Sequence, residues 1–271
     1  LLEHKGDRTV FVTTQGFGDI LRIGYQNRPD IFARQIVLPE MLYERAIEAE
    51  ERYNASGEER VALNQTQIAT ELQNAYDAGI RSCAIALMHG YRYPHHERQI
   101  AAIAREIGFS QISVSHELNP VIKLVGRGDT TVVDAYLSPI LRRYVDRVAS
   151  QLGGCDTPSP QPMFMQSNGG LADARQFQGK DSILSGPAGG IVGAVQTSLR
   201  AGFDRIISFD MGGTSTDVAH YNGEYEREYE TEIAGFRLQT PMMAIHTVAA
   251  GGGSKLIFDG SRYRVGPESA G

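Results

Sequence analysis

Two aspartates bracket a run of glycines and hydroxyl residues, Asp210-Met211-Gly212-Gly213-Thr214-Ser215-Thr216-Asp217. These residue types suit an anion. Paired glycines let backbone approach a ligand with no Cβ in the way. Their N–H groups, with the hydroxyls of Thr214, Ser215 and Thr216, form a concave set of donors for phosphate oxygens. Asp210 is placed to hold Mg²⁺ through water or to orient an attacking group, and Asp217 to orient the threonine hydroxyls or a metal-bound water. The flanks say how the loop is held. Ile206 to Phe209 reads as an apolar strand before it and Val218 to Tyr221 as a strand after it. Asn222-Gly223 is a strong hairpin signal, and Glu224 to Glu230 is expected to return as a third strand with one solvated face. The loop therefore joins two antiparallel strands rather than a strand and a helix. The plain alternative is a glycine hairpin with a threonine-rich tip.

The rest of the chain supplies the scaffold. Thr9–Thr14 is a β-branched strand followed by a turn, with a short helix expected within Phe17–Ile23 and a loop at Asn27-Arg28-Pro29-Asp30. Strand and turn are expected across Glu48–Arg60. Ile68, Leu72, Ala75 and Tyr76 recur at helical spacing within Asn64–Ala78, and Gly79 stops that helix. Ser82 to Met88 is the continuous apolar run of a strand buried on both faces. Pro94 to Ile107 is a helix closed by Gly108, and Gln111 to Ser115 a strand. This alternation predicts an α/β sheet. Gly126-Arg127-Gly128-Asp129 punctuates the middle, with Asp129 or Thr130 expected to cap a long helix that Pro139 interrupts. A Gly/Pro/Ser-rich linker spans 153–162. Met163 to Gln166 runs into a tight turn at Ser167-Asn168-Gly169-Gly170, and Ser185-Gly186-Pro187-Ala188-Gly189-Gly190 opens a helix reaching about Arg200.

Composition excludes several classes. The chain has 271 residues, and 26 Lys plus Arg against 32 Asp plus Glu give a net charge of −6, a poor match for a nucleic-acid backbone. No apolar run approaches the ~20 residues that span a bilayer. Cys83 and Cys155 are too few for a disulfide framework or a four-cysteine zinc site, and are expected as reduced core thiols of a cytoplasmic protein. The start at Leu1, without Met, and the end in loop-like Gly266 to Gly271 read as a piece of a longer polypeptide.

Further candidates carry a bland alternative. Gly251-Gly252-Gly253-Ser254 either lets a ligand approach the backbone or is a turn into the Leu256–Phe258 strand and its hairpin at Asp259-Gly260. The Ser185–Gly190 segment either points a helix start at an anion or packs closely on a sheet. His89, His95, His96 and Glu97 invite a metal reading. Adjacent histidines on a helix diverge, however, so a solvated helix start with a favourable Glu97 is the expectation. His246 is either a core histidine or a substrate-facing one. Arg127 and Asp129 read as capping and ion-pair residues.

Asp210 to Asp217 resembles the phosphate loop of the actin, sugar-kinase and acetate-kinase superfamily. More narrowly, Phe209 to Val218 resembles the hydantoinase A / 5-oxoprolinase family. Leu1 to Gly6, Thr13 to Phe17, Arg127 to Thr131 with Asp134 to Leu137, Gln166 to Gly170, Ser185 to Gly190 and His246 to Ser254 agree with it in order along the chain. His89 to Glu97 is closer to the 5-oxoprolinase branch.

The resemblance implies a partial actin-like ATPase (ribonuclease-H-like) α/β fold. Residues 1–125 would end the first lobe, 126–200 would carry interlobe helices and linker, and 201–271 would start the second lobe with the phosphate-binding hairpin. It also implies ATP-dependent opening of a lactam or imide such as 5-oxoproline or N-methylhydantoin. ATP phosphorylates the lactam oxygen, or an equivalent activated oxygen, and water then cleaves the C–N bond. ATP and Mg²⁺ would be the cofactors, and a hydantoinase B-type subunit or fused domain the partner. Asp210 and Asp217 would be catalytic, with Asp210 on the metal. Gly212, Gly213, Thr214, Ser215, Thr216, Gly251, Gly252 and Gly253 would line the nucleotide. The family's first phosphate loop has no counterpart here, so the piece alone is not expected to turn over substrate. An acetone-type carboxylase subunit, a sugar-kinase-like phosphotransferase and an actin-like assembly protein are the competing readings.

Overall fold

The β-branched run Thr9–Thr14 is a strand buried along its whole length. It can be so because it lies inside a four-stranded parallel sheet ordered Arg45–Ala49, Thr9–Thr14, Ser82–Ala86, Gln111–Val114. Parallel strands joined by crossover helices are covered on both faces, which is why Ser82–Ala86 is also wholly buried. The structure is a computed structural model that describes residues 1, 4–26, 32–36, 38–152 and 162–270. The expected loop at Asn27 to Asp30, the linker at 153–161 and Cys155 lie outside the described residues.

Helices Gln65–Asp77 and His95–Ile107 cover the sheet, inserting Ile68, Leu72, Ile100 and Ala104 among Val10, Val12 and Ile85. Both end just before the expected glycines, Gly79 and Gly108. The Asn64 side chain accepts from the N–H of Gln67 at 3.0 Å. Gly108 closes the second helix in the left-handed region at φ 106°, where a side chain would be strained. Cys83 sits in this core, and burial pushes its thiol up from its ordinary pKa.

The long helix is Leu124–Leu152, with Pro139 inside it, and it packs against Thr9–Thr14, Ser82–Ala86 and Gln111–Val114. It corrects one expectation. Asp129 and Thr130 do not cap it, because the helix begins at Leu124 and carries Gly126 to Thr131 as buried interior residues. The glycines there serve close packing. A Cβ at Gly128 would lie 2.8 Å from Leu21 Cδ2, and one at Gly126 2.8 Å from Gln239 Nε2.

The described chain divides into two compact units. The first comprises 1–162, 178–180 and 229–240, and the second 163–177, 181–228 and 241–271. The segment 126–200 is thus shared out, its long helix to the first unit and the Ser185–Arg200 helix to the second. A hairpin of Thr231–Ile233 and Phe236–Leu238 belongs to the first unit.

In the second unit, Ser185–Arg200 packs on a three-stranded antiparallel sheet ordered His246–Val248, Thr216–Asn222, Arg205–Met211. Ala188, Ile191, Val195, Ala219 and Met243 form its core. The expected third strand at Glu224 to Glu230 does not form. After an isolated bridge between Tyr221 and Tyr225 the chain leaves, and Arg227–Glu228 pairs with Met242–Met243 instead. The neighbour of Thr216–Asn222 on that side is His246–Val248, while Tyr225 packs on the core. Ser254–Phe258 and Tyr263–Ser269 form the expected hairpin, and Met163–Met165 passes through the expected turn to pair with Leu171–Asp173.

Candidate functional site

The register of the central hairpin places Asp210 directly opposite Asp217. Residues opposite one another in an antiparallel pair project from the same face. Here that face meets the helix opened by Ser185–Gly190. A Cβ at Gly190 would lie 3.6 Å from Asp210 Oδ2, an ordinary contact distance, so the carboxylate lies close to the first turns of the helix. Asp217 is oriented by Thr247, whose hydroxyl donates to Oδ1 at 2.6 Å. Between helix and sheet lies a recess of about 350 Å³, with Pro187, Gly190 and Ile191 on one side and Asp210, Asp217 and Ile245 on the other.

The tip of the hairpin is closed by Gly212 N–H donating to the Ser215 carbonyl at 2.9 Å. A second glycine run is zipped onto it. Gly252 N–H donates to the Gly212 carbonyl at 2.9 Å and Gly253 N–H to the Gly213 carbonyl at 2.7 Å. Gly251 N–H is taken by Ser254 Oγ at 2.8 Å, and Thr216 Oγ1 donates to the Ala250 carbonyl at 2.6 Å. Gly251 has no room for a side chain, since a Cβ would sit 2.6 Å from the Gly212 carbonyl oxygen and 2.8 Å from that of Gly213.

All ten residues singled out from the sequence thus come together in one unit, in two kinds of role. Gly212, Gly213 and Thr214 are exposed, Ser215 is half-buried, and nothing lies within 4 Å of a Cβ position at Gly213. The N–H groups of Gly251, Gly252 and Gly253 and the Thr216 hydroxyl are committed inside the protein, so what they give the loop is support. His246 is exposed, which removes its core reading.

The first unit holds polar machinery that the sequence did not reveal. His96 and Glu97 are fully buried, not part of a solvated helix start. His96 Nδ1 lies 2.8 Å from Glu51 Oε2 and Nε2 2.8 Å from Glu59 Oε1. Glu51 also accepts the Thr14 hydroxyl. Glu97 receives the N–H of Leu87 at 2.8 Å, the Ser115 hydroxyl at 2.6 Å, and His116 through its N–H and Nδ1. The acidic partners of His96 lie far away in the chain, where no local spacing rule reaches them. Among the described residues no group of three His, Cys, Asp or Glu is arranged to hold a metal ion.

Two aspartates of the long helix are buried as well. Asp129 pairs with Arg237 at 2.6 Å, and burial against that pairing pushes its carboxyl up to about 6. Asp134 accepts from Ser113 Oγ, Ser138 Oγ and Lys180 N–H. Burial raises its pKa, and those three donors oppose the rise.

Comparison with known proteins agrees with this architecture. The Hydantoinase/oxoprolinase family model matches residues 127–271, and the model of the Hydantoinase/oxoprolinase N-terminal region matches 1–108. The chain is 44% identical to 5-oxoprolinase 1 of Arabidopsis thaliana over 291 residues, covering 100% of this chain and 23% of that protein. It therefore spans about a quarter of that relative. Among solved structures, the ATP-dependent caprolactamase from Pseudomonas jessenii superimposes with TM-score 0.85 at 28% identity, and nucleotide-free acetone carboxylase with TM-score 0.81 at 24%. Each comparison covers 100% of this chain and 40% of the other. The fold is thus the α/β fold of these actin-like ATPases, and the chain belongs to the hydantoinase/oxoprolinase family.

Proposed function

We propose that this chain supplies the phosphate-handling hairpin of an ATP-dependent enzyme that opens a cyclic amide, 5-oxoproline or a hydantoin. The observation that carries the reading is the Asp210–Asp217 pair, facing one another under an open glycine tip that a second glycine run braces. Family membership and the amide-directed names of relatives support the substrate class. The acetone carboxylase likeness, at 24% identity, supports the fold alone.

The residues present suit Mg²⁺ and a triphosphate. Mg²⁺ is commonly held by one or two carboxylates plus substrate phosphates, and the hairpin offers two carboxylates with space beyond Gly213. The ion would be held through Asp210 and would neutralise phosphate charge. Gly213, Thr214 and Ser215 would donate to phosphate oxygens, and Asp217, fixed by Thr247, would orient the tip. Transfer of a phosphoryl group to the amide carbonyl oxygen makes its carbon electrophilic. Water then adds to that carbon, the C–N bond breaks as a proton passes to the ring nitrogen, and a second water displaces phosphate from the resulting acyl phosphate to leave a carboxylate. A second, hydantoinase B-type subunit or fused domain completes the enzyme, as the name "caprolactamase subunit alpha" suggests for that relative. Among the described residues no helix is long and apolar enough to cross a membrane. A cytoplasmic site of action goes with the reading.

The test follows phosphate release from Mg-ATP by the full-length parent with any partner subunit. 5-Oxoproline, N-methylhydantoin and acetone plus bicarbonate are compared. Release driven by one cyclic amide, with one ring opened per phosphate, is expected. Release only with ketone and bicarbonate would move the protein to the carboxylases.

A further inference from the structure

The four-stranded sheet of the first unit contains a topological switch point. From Thr9–Thr14 the chain proceeds to Arg45–Ala49 on one side. From the neighbouring Ser82–Ala86 it proceeds to Gln111–Val114 on the other. Connections leaving two adjacent parallel strands in opposite directions open a crevice beyond their carboxyl ends, the usual ligand position in open α/β sheets.

The polar groups at those strand ends are almost all matched. Leu87 and Met88 follow Ser82–Ala86 directly. Their N–H groups go to Glu97 Oε1 at 2.8 Å and Thr14 Oγ1 at 3.0 Å. Their carbonyls receive Arg127 Nη2 at 2.5 and 3.3 Å. Arg52 donates to the Gln15 carbonyl. Among the described residues the exceptions are two. Arg127 is fully buried, yet its Nε and Nη1 have no hydrogen-bond partner among the described residues. Thr13 is also fully buried with its hydroxyl unmatched. Thr13 pairs in register with Ala86, the residue before Leu87, so both orphans belong to the same end of the same two strands.

Glu97 does not neutralise Arg127 by direct contact, because its oxygens are filled by Leu87, Ser115 and His116. A buried guanidinium with free N–H groups is costly, and such groups in a native fold call for a functional account. A guanidinium suits the planar oxygens of a carboxylate or the oxygens of a phosphate. The Tyr91 ring, half-buried, lies over it with its centroid 5.6 Å from Cζ.

We infer that Arg127, with Thr13 at the same strand end, recognises an oxyanion on a small ligand admitted at the switch point of the first sheet. The ligand's identity rests on the amidase reading. The oxyanion is either the carboxylate of a cyclic amino-acid amide or the phosphate placed on it.

The experiment measures ligand-induced thermal stabilisation of the full-length protein and its Arg127→Met and Thr13→Val variants. The probes are 5-oxoproline, 2-pyrrolidinone (the same ring without the carboxylate) and inorganic phosphate. A carboxylate site predicts 5-oxoproline binding at least ten-fold weaker in Arg127→Met and several-fold weaker in Thr13→Val, with 2-pyrrolidinone unchanged. A phosphate site shifts that loss to inorganic phosphate. Thr13→Val keeps the size of the side chain and carries the test if Arg127→Met does not fold. Equal affinities in wild type and variants, or no binding of either anion to the wild type, would overturn the inference. Arg127-dependent anion binding without turnover of any cyclic amide would sink the amidase reading and leave this site standing. Turnover with anion binding indifferent to both variants would do the reverse.

Discussion

Glu97 and Arg127 grip the two backbone groups of one residue. Glu97 Oε1 accepts the Leu87 N–H at 2.8 Å, while Arg127 Nη2 donates to the Leu87 carbonyl. Both side chains are fully buried, so the turn leaving Ser82–Ala86 is set from inside the protein rather than by its own sequence. Gly90 belongs to the same arrangement, since a Cβ there would collide with the Glu97 carboxylate.

Glu97→Ala should therefore destabilise the first unit strongly. It strips an acceptor from Leu87, Ser115 and His116 at once and removes a negative charge that favours the Arg127 cation. Losses of about 3–5 kcal/mol are typical when one partner of a buried charged network is removed. Denaturant unfolding of the full-length protein measures it, and a change under about 1 kcal/mol would contradict the network described.

The two glycine runs of the second unit give a paired prediction. Gly251→Ala forces a methyl against the backbone of Gly212 and Gly213, which cannot yield as a side chain tip does. Overpacking of this kind costs about 1–3 kcal/mol, and here it displaces the hairpin tip. Substrate-dependent phosphate release should fall at least ten-fold. At Gly252 the nearest atom to an added Cβ is 3.8 Å away, so Gly252→Ala should behave like wild type. Equal effects would show that the bracing contact has no bearing on the loop.

Asp210 is exposed, and its removal should leave the fold intact. Asp210→Ala should abolish phosphate release in the parent enzyme with an unchanged melting temperature, and wild-type-like turnover would remove its assignment. Gly213→Val occupies open space and should fail differently, through weaker nucleotide binding read by calorimetry.

Asp134 ties stability to pH. Burial raises its pKa in the folded chain, so the folded state holds this proton more tightly than the unfolded state does. Its contribution is complete below the ordinary carboxylate pKa of about 4 and is lost as pH rises through the raised value. The stability of wild type relative to Asp134→Asn should accordingly fall as pH climbs from 4 towards neutrality. Asparagine keeps an acceptor for Ser138 and Lys180, so the variant should fold. A difference that grows with pH would reverse the sign argued here.

The hairpin was legible because its signals are local: apolar strands, paired glycines and a hydroxyl run within a few residues. The parallel sheet was legible for the same reason, through Thr9–Thr14 and Ser82–Ala86. The misreadings share a cause. Gly126 and Gly128 looked like breaks, yet Gln239 and Leu21 pack onto them from elsewhere in the chain, and the helix continues. His96 looked solvated by residue type, but Glu51 and Glu59 meet it from two other elements. The braced role of Gly251 depends on a close approach to Gly212 that neither segment announces alone.

The chain passes back and forth between its two units, with changes of membership at 162/163, 177/178, 180/181, 228/229 and 240/241. Vectorial synthesis then imposes an order on assembly. The helix Leu124–Leu152 leaves the ribosome well before the segment bearing Arg237 and Gln239, which pair with Asp129 and Thr130 on that helix. Until residue 240 has emerged, Asp129 is a carboxylate awaiting its cation and the nascent first unit is incomplete. A gene truncated at the apparent end of that unit, near 162, would encode a domain lacking one of its own walls.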